Sequence, residues 1–479
     1  MSLRPPEKVD FGTYVKNIPE SIPTAVQGAT KRFIGSRADR IRELPEWEEL
    51  RQAASDIRLF TIQNLDYYLR VAADAIEKAG GVVHWAKDAE EACQVVVDIA
   101  LNHQVKTVVK AKSMASEEIS LNHALENAGI ETYETDLGEF IMQLAGEGPS
   151  HIIVPAVHLK KEEISRLFEE KLHIEAKPDP QILTRIAHQV LRDKFLSADM
   201  GVSGCNFLVA ESGTIVLVTN EGNGRMCTTL PDLHVAVVGI DKVIPDWDSL
   251  TILLKLLARS ATGQKISTYT SFITGPSRSG KEQGPQELHV VFLDNGRSDI
   301  LRDEIGREVL KCIRCGCCLN VCPVYQNVGG YAYGWFISGP IGAILTPQLL
   351  GTQAASQLPF ASTLCGACVE VCPVKIPITN ILLHLRHRVV EGDEISPPVL
   401  PGRFQAAVKG ARFALDTPWL YRLGSRILLA MMIVKKKEGW LTWLPPPANR
   451  WTRIRPFPIF QARFRSKWKT SQQPGQEKK

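Results

Sequence analysis

Eight of the 11 cysteines lie between Cys312 and Cys372, and their spacing is that of metal-ligating thiolates. The first run reads Cys312-Ile-Arg-Cys315-Gly-Cys317-Cys318-Leu-Asn-Val-Cys322-Pro323. It contains C-x2-C-x2-C-x3-C-P, the bacterial ferredoxin spacing: three thiolates on a tight turn cap three corners of a 4Fe–4S cube, and the fourth, followed by Pro, reaches the other cluster. The pattern returns as Cys365-Gly-Ala-Cys368-Val-Glu-Val-Cys372-Pro373, with Cys315, Cys318, Cys322 and Pro323 aligned on Cys365, Cys368, Cys372 and Pro373. Crossed ligation then assigns Cys312, Cys315, Cys318 and Cys372 to one cluster, and Cys322, Cys365 and Cys368 to the other. Zinc is disfavoured, because zinc ribbons pair two C-x2-C knuckles rather than two runs ending in Cys-Pro.

Two positions break the repeat. Ser362 stands where Cys312 stands in the first run, and Cys317 faces Ala367 as an extra thiol. The second cluster's fourth ligand is therefore open between Ser362, water, a partner's group and Cys317. A residue adjacent to Cys318 normally points away from that cube, and a free Cys is more often simply core. With Cys317 silent, the second cluster is either a 3Fe–4S form or a 4Fe–4S cube with a non-Cys ligand; the expectation is two clusters, written as 4Fe–4S, one of them labile.

These motifs need a scaffold. The 479 residues are 44% hydrophobic and 23% charged, enough for several domains and incompatible with wholesale disorder. Residues 1–45 read as a polar, Pro-containing arm leading into helix, and 46–79 as helical, stopped by Gly80-Gly81. Strands at Val82–Trp85, Lys106–Ala111 and Ile130–Thr135 alternate with helices at Ala89–Asn102 and Ser116–Ala128, the rhythm of a parallel α/β sheet. Further strands are expected at Ile152–Pro155, Phe207–Ala210, Thr214–Thr219, His234–Gly239 and Glu287–Leu293, with part of the sheet antiparallel near 207–219. The organisation is thus an arm (1–45), an α/β domain (46–299), a cysteine domain (301–395) and a C-terminal segment (396–479).

From Cys315 to Val369 there are 55 residues without a formal charge. Eight Gly and Pro residues between Gly329 and Gly351 forbid a membrane helix there, so the stretch wraps a cofactor or forms a partner surface. No transmembrane segment and no signal peptide are read, which points to the cytoplasm and to reduced thiols. The net charge of +4 divides into −10 over the first 400 residues and +14 over 401–479, where 17 Lys+Arg face 3 Asp+Glu among five Trp. Docking of this tail on an acidic surface, its own or a partner's, is expected ahead of nucleic acid binding; peripheral membrane contact is compatible with it.

Three polar clusters of the α/β part suggest loops that bind a small ligand: Lys110, Lys112, Ser113, Glu117 and Glu118; Glu134, Thr135, Asp136 and Glu139; and Glu211, Glu221, Asn223 and Arg225. Gly275–Glu282 falls short of a phosphate-binding loop, since Glu282 replaces the magnesium-ligating hydroxyl. His384 and His387 read as helix-face residues rather than ligands.

The chain resembles the lactate utilization protein B family along nearly its whole length, through KSMASEEISLNHALENAGIETYETDLGEF, LHVVFLDNGRS, CIRCGCCLNVCPVY, GPIGAILTP and LCGACVEVCPVKI. The resemblance implies an α/β LUD domain, similar to the NagB/RpiA/CoA-transferase-like fold, followed by an α-helical ferredoxin-type domain holding two iron–sulfur clusters. It implies the same seven cysteine ligands and a three-Cys second motif, with Cys317 as the departure from an expected Ala. It further implies an iron–sulfur electron-transfer component, a subunit of a multi-protein system oxidising L-lactate to pyruvate. The implied partners are a second iron–sulfur subunit and another LUD-domain protein. The competing reading makes the LUD domain itself a catalytic or binding module for a small carboxylate or thioester.

Overall fold

The computed structural model describes residues 6–278, 283–399, 402–434, 436–437, 440–444, 449–452 and 455–458. The chain divides into two units, Met1–Val399 and Leu400–Lys479.

Ten strands of the first unit form two sheets: β1 (Val82–Ala86), β2 (Thr107–Lys110), β3 (Glu131–Glu134), β4 (Met200–Ser203), β5 (Phe207–Val209), β6 (Thr214–Thr219), β7 (Leu233–Gly239), β8 (Val243–Ile244), β9 (Tyr269–Ile273) and β10 (Glu287–Leu293). The larger sheet has the order β1-β10-β7-β4-β2-β3 and is parallel throughout. Its central strands are near-continuous apolar runs because helices cover both faces; every residue of β7 is buried. The helix Ala89–Asn102 shows how such cover arises. Asp88 caps it by accepting from the Glu91 N–H at 2.9 Å, and Ala92, Val96 and Ile99 bury one stripe.

The chain steps outward from β2 to β3, then returns to place β4 on the other side of β2. The loops leaving β2 and β4 start side by side, with Gly204 packed against Ser113, at the carboxyl ends of the strands, where open α/β sheets bind ligands.

Several expectations shift. The antiparallel pair β5–β6 belongs to a separate four-stranded sheet, β8-β5-β6-β9. Residues 152–155 form an irregular bend rather than a strand, because the His151 imidazole accepts from the Ile153 and Val154 N–H groups at 3.0 and 3.3 Å and curls the chain. The helix expected over 46–79 breaks at Asn64 into Trp47–Gln63 and Leu65–Lys78. That expected over 116–128 breaks at Ser120, which takes φ +57°. Residues 11–16 and 21–42 of the amino-terminal arm are helical. Of the Gly275–Glu282 stretch, residues 279–282 lie outside the described residues.

Residues 306–391 carry only α and 3-10 helices among the described residues. The charge-free stretch is their core: Gly339–Leu349 is buried from Gly339 to Pro347. Tyr333, Trp335, Phe336 and Ile337 share one apolar cluster with Cys315, Cys317, Cys322, Cys368 and Cys372. Helix Ser21–Arg42 packs against Cys317–Val321 and Pro323–Val328.

The second unit holds helices Gly402–Asp416 and Pro418–Val434 and a small antiparallel sheet, Lys436–Lys437, Trp440–Leu441 and Phe457–Pro458. Among the described residues no helix is long and apolar enough to cross a membrane.

Candidate iron–sulfur centre

The internal repeat is written into the backbone. Gly316 and Gly366, each following the first Cys of a C-G-x-C turn, take φ +71° and +83° and cap the short helices Cys317–Val321 and Ala367–Glu370. The residues before those cysteines, Arg314 and Leu364, take φ +58° and +54°. Such left-handed pairs wind a chain tightly enough to aim successive thiols at one point.

The cysteines of the two motifs meet in two overlapping groups of electrostatic neighbours. Cys318 has Cys312, Cys315, Cys368 and Cys372 as electrostatic neighbours. Cys322, Cys365 and Cys368 neighbour one another. Neighbours in space thus come from both motifs in each group. Cys315, Cys322, Cys368 and Cys372 are buried, Cys312 and Cys318 half-buried, and Cys365 exposed. Burial pushes up the thiols of Cys315 and Cys318, and that of Cys368 to about 12. Loading of iron must therefore release protons.

The surroundings suit iron–sulfur clusters. The Tyr333 hydroxyl is fully buried, has no hydrogen-bond partner, and neighbours Cys318, Cys322 and Cys368, hence both groups. An orphan donor there matches the sulfur acceptors of a cluster. Four cations border the first group. Arg51 donates to the Cys372 carbonyl at 2.8 Å, Arg37 to the Val371 carbonyl at 3.1 Å, and Arg58 and Lys242 have Cys312 as a charged neighbour. Burial lowers Arg58 to about 10 and Lys242 to about 8, while Asp241 works the other way.

A second polar centre lies at the carboxyl ends of β2 and β3. The buried Lys110 ammonium donates to Ser116 Oγ (2.9 Å) and Glu117 Oε1 (2.7 Å) and pairs with Glu134 Oε1 (2.6 Å). Asn122 donates to the same Glu134 oxygen at 2.6 Å. Glu139 is fully buried and, like Glu134, keeps one oxygen without a partner; burial first, then the Glu134 charge, raises its carboxyl. Lys112 donates to the Ile153 carbonyl at 2.9 Å, and the Ile153 side chain abuts Gly316 of the first cysteine turn. Of the other polar residues singled out, Glu118 joins a different network. It holds Arg297 through two hydrogen bonds of 2.8 and 2.7 Å, and Arg297 donates to Asp241 at 2.6 Å. Burial opposes the charge on Asp241, but Lys242, Arg297 and Arg314 keep its carboxyl well below the usual range. Glu211 accepts from the Trp247 N–H (3.1 Å), Asn223 from Thr219 (3.1 Å) and Ser113 from the Ser116 N–H (3.2 Å). The Thr135 hydroxyl donates to the Lys110 carbonyl at 2.8 Å. His384 is paired with Asp303 at 3.0 Å.

Residues 69–293 match the LUD domain, and residues 308–376 match the 4Fe-4S dicluster domain. Lactate utilization protein B of Shouchella clausii (strain KSM-K16) is 44% identical over 454 residues, covering 94% of both chains. The chain belongs to the lactate utilization protein B family. Family members from Bacillus licheniformis (45% identity, 92% of each chain) and Geobacillus thermodenitrificans (43%, 98% of this chain and 99% of the relative) match as fully. A crystal structure of a DUF162 family protein from Deinococcus radiodurans covers 48% of this chain and 98% of its own at 16% identity and a TM-score of 0.28, too distant to carry an argument.

Membership in the family supports a role in lactate utilization with electron transfer, and iron–sulfur binding by the second domain. Sequence reasoning missed Arg37, Arg51, Arg58 and Tyr333, because nothing local marks a cation or a phenol as the neighbour of a thiol far along the chain.

Glu221, beside the loop that follows β3, offers a titration test of the LUD domain. Burial first, then the Asp136 charge, raises its carboxyl to about 7, although the Leu137 N–H donates to it at 3.1 Å. A carboxyl raised above its unfolded value contributes stability in full below pH ~4.5, lost as pH climbs through the folded value. Glu221→Gln should therefore match the parent near pH 5 and exceed it by about 2 kcal/mol near pH 8. Denaturant titrations at both pH values check this; a pH-independent difference would refute it.

Proposed function

We propose that the chain is the iron–sulfur electron-transfer component of a multi-protein system oxidising L-lactate to pyruvate, relaying electrons through two 4Fe–4S clusters. When bound, each cluster supplies one-electron redox chemistry. The observation that carries this reading is the gathering of seven cysteines from two motifs into two adjacent groups. In it, Cys312, Cys315, Cys318 and Cys372 hold cluster 1, and Cys322, Cys365 and Cys368 hold cluster 2, within an α-helical ferredoxin-type domain.

The chain's own residues shape this relay. Arg51, Arg58 and Lys242 stabilise added negative charge at the first group. Tyr333 donates to sulfur between the groups. The exposed Cys365 brings the second group to the surface, where a partner exchanges electrons with it. Partners are a second iron–sulfur subunit and another LUD-domain protein in the cytoplasm, and the +14 C-terminal segment docks on an acidic surface.

The test is anaerobic co-purification followed by lactate addition. Clusters should bleach with lactate when the co-purified proteins are present and stay oxidised when the chain is alone. Persistent oxidation in the complete mixture would sink the reading.

The carboxyl of Glu139, which burial holds towards its protonated, donating form and which has an unpartnered oxygen, favours a second reading, in which the polar centre beside Lys110 binds a small carboxylate or thioester. Lactate, pyruvate or coenzyme A should then raise the full chain's melting temperature. No shift with any of them removes that reading.

A further inference from the structure

We propose that Ser362 is the fourth protein ligand of the second cluster, binding iron through Oγ. This rests on the two-cluster reading above, and the evidence is a match of atoms between the two halves of the repeat.

Position 362 stands 50 residues after Cys312, at the offset that aligns the other ligands. The alignment extends to three dimensions. After Cys312 comes a left-handed residue, Arg314, and after Ser362 comes Leu364, with φ +58° and +54°. The Arg314 N–H donates to Cys312 Sγ at 3.4 Å, and the Leu364 N–H donates to Ser362 Oγ at 3.1 Å. The same backbone group, two residues on, holds the side-chain atom of each in the same direction. An N–H donated to the ligand atom commonly supports metal-bound sulfur and oxygen.

The segment that carries Ser362 is anchored. Arg386 donates through Nε to the Pro359 carbonyl at 2.8 Å and through Nη2 to the Ser362 carbonyl at 3.2 Å. Its guanidinium lies over the Phe360 ring, 5.2 Å from the centroid. The side chain of residue 362 is thus presented from a fixed main chain, although the position is half-buried.

Cys317 is the rival for the same role, and its surroundings place it elsewhere. Its thiol has Arg37, Cys372 and Arg51 as electrostatic neighbours, on the side of the first group. The group formed by Cys322, Cys365 and Cys368 does not include it. Cys317 is an apolar packing residue of the first cysteine turn, buried in the common core.

Ligation forms one Fe–O bond, breaks the Ser362 O–H bond and releases the proton to solvent, with no change of oxidation state. A hard alkoxide on one iron and thiolates on three make that iron chemically distinct and the first to be lost on oxidation.

The test uses the full chain, purified anaerobically, as the parent and the Ser362→Ala, Ser362→Cys and Cys317→Ala variants. Iron analysis comes first: about eight irons per chain are expected in the parent. About four would overturn the two-cluster reading itself. Mössbauer spectra should show one iron of the second cluster distinct in the parent and indistinguishable from its neighbours in Ser362→Cys. After brief oxidant treatment, Ser362→Ala should give a 3Fe–4S EPR signal at least about fivefold above the parent's, and Ser362→Cys a signal below it. Cys317→Ala should match the parent in both. With eight irons in hand, an unchanged spectrum and oxidation response in both Ser362 variants would overturn the assignment. A response confined to Cys317→Ala would transfer the role to that thiol.

Discussion

Replacing Cys372 by Ala should remove the same cluster as replacing Cys312, although Cys372 belongs to the second motif. Cys372 neighbours Cys312, and its carbonyl is gripped by Arg51 at 3.0 and 2.8 Å on the side of the first group. If each motif held its own cube, Cys372→Ala would instead phenocopy Cys365→Ala. The discriminating measurement is iron content with reduced-state EPR on single and paired variants. Cys312→Ala, Cys372→Ala and the pair should each retain about four of about eight irons with one common spectrum. Cys322→Ala should retain the complementary spectrum. A Cys312/Cys372 double variant with no iron left would show the crossed assignment to be wrong.

Arg58→Ala should be the most destabilising single change outside the cysteines. This guanidinium is 1% exposed and binds four carbonyls: Val243 and Leu310 at 2.8 Å, Lys311 at 3.3 Å, and Asp241. Two of these precede Cys312 and two lie around β8, so one side chain ties the LUD sheets to the entry of the first cysteine turn. Truncation leaves buried acceptors unpaired and opens a cavity, a loss of about 3–5 kcal/mol. The exposed pair Arg70–Asp66, at 3.4 Å, is the control. Arg70→Ala should change stability by no more than about 0.5 kcal/mol. Denaturant unfolding of the cluster-loaded chain measures both. A loss below about 1 kcal/mol for Arg58→Ala would show that the carbonyls find other donors.

Arg58 also shows where reading the sequence ran out. In ASDIRLF it is one cation on an amphipathic helix, and its normal fate is solvent. Its burial follows from partners at 241, 243, 310 and 311, which no window around residue 58 contains. The strand expected at 152–155 failed for a similar reason. Ile-Ile-Val has strand propensity, but the preceding His151 side chain captured the N–H groups that a ladder would have used. By contrast, β7 and β10 were legible because buried parallel strands leave continuous apolar runs.

The polar clusters of the LUD part were found singly and joined only by the fold. Lys110, Glu117 and Glu134 meet because β2 and β3 are adjacent and parallel, which puts their carboxyl ends side by side. Glu118, next to Glu117 in sequence, turns the other way to Arg297, since adjacent residues of a helix point about 100° apart.

What the sequence by itself determined was the chemistry: two Cys-Gly-x-Cys turns followed by Cys-Pro. Tight turns are local, so spacing alone sets how many thiols converge. The repeat offset, the Ser at 362 and the surplus Cys317 were equally visible there. Only the tertiary structure decided which cations stand beside the thiols, and that the Tyr333 hydroxyl lies among thiols of both motifs. Those are contacts between residues tens to hundreds of positions apart. They exist because one apolar core packs both motifs against helices from the amino-terminal region.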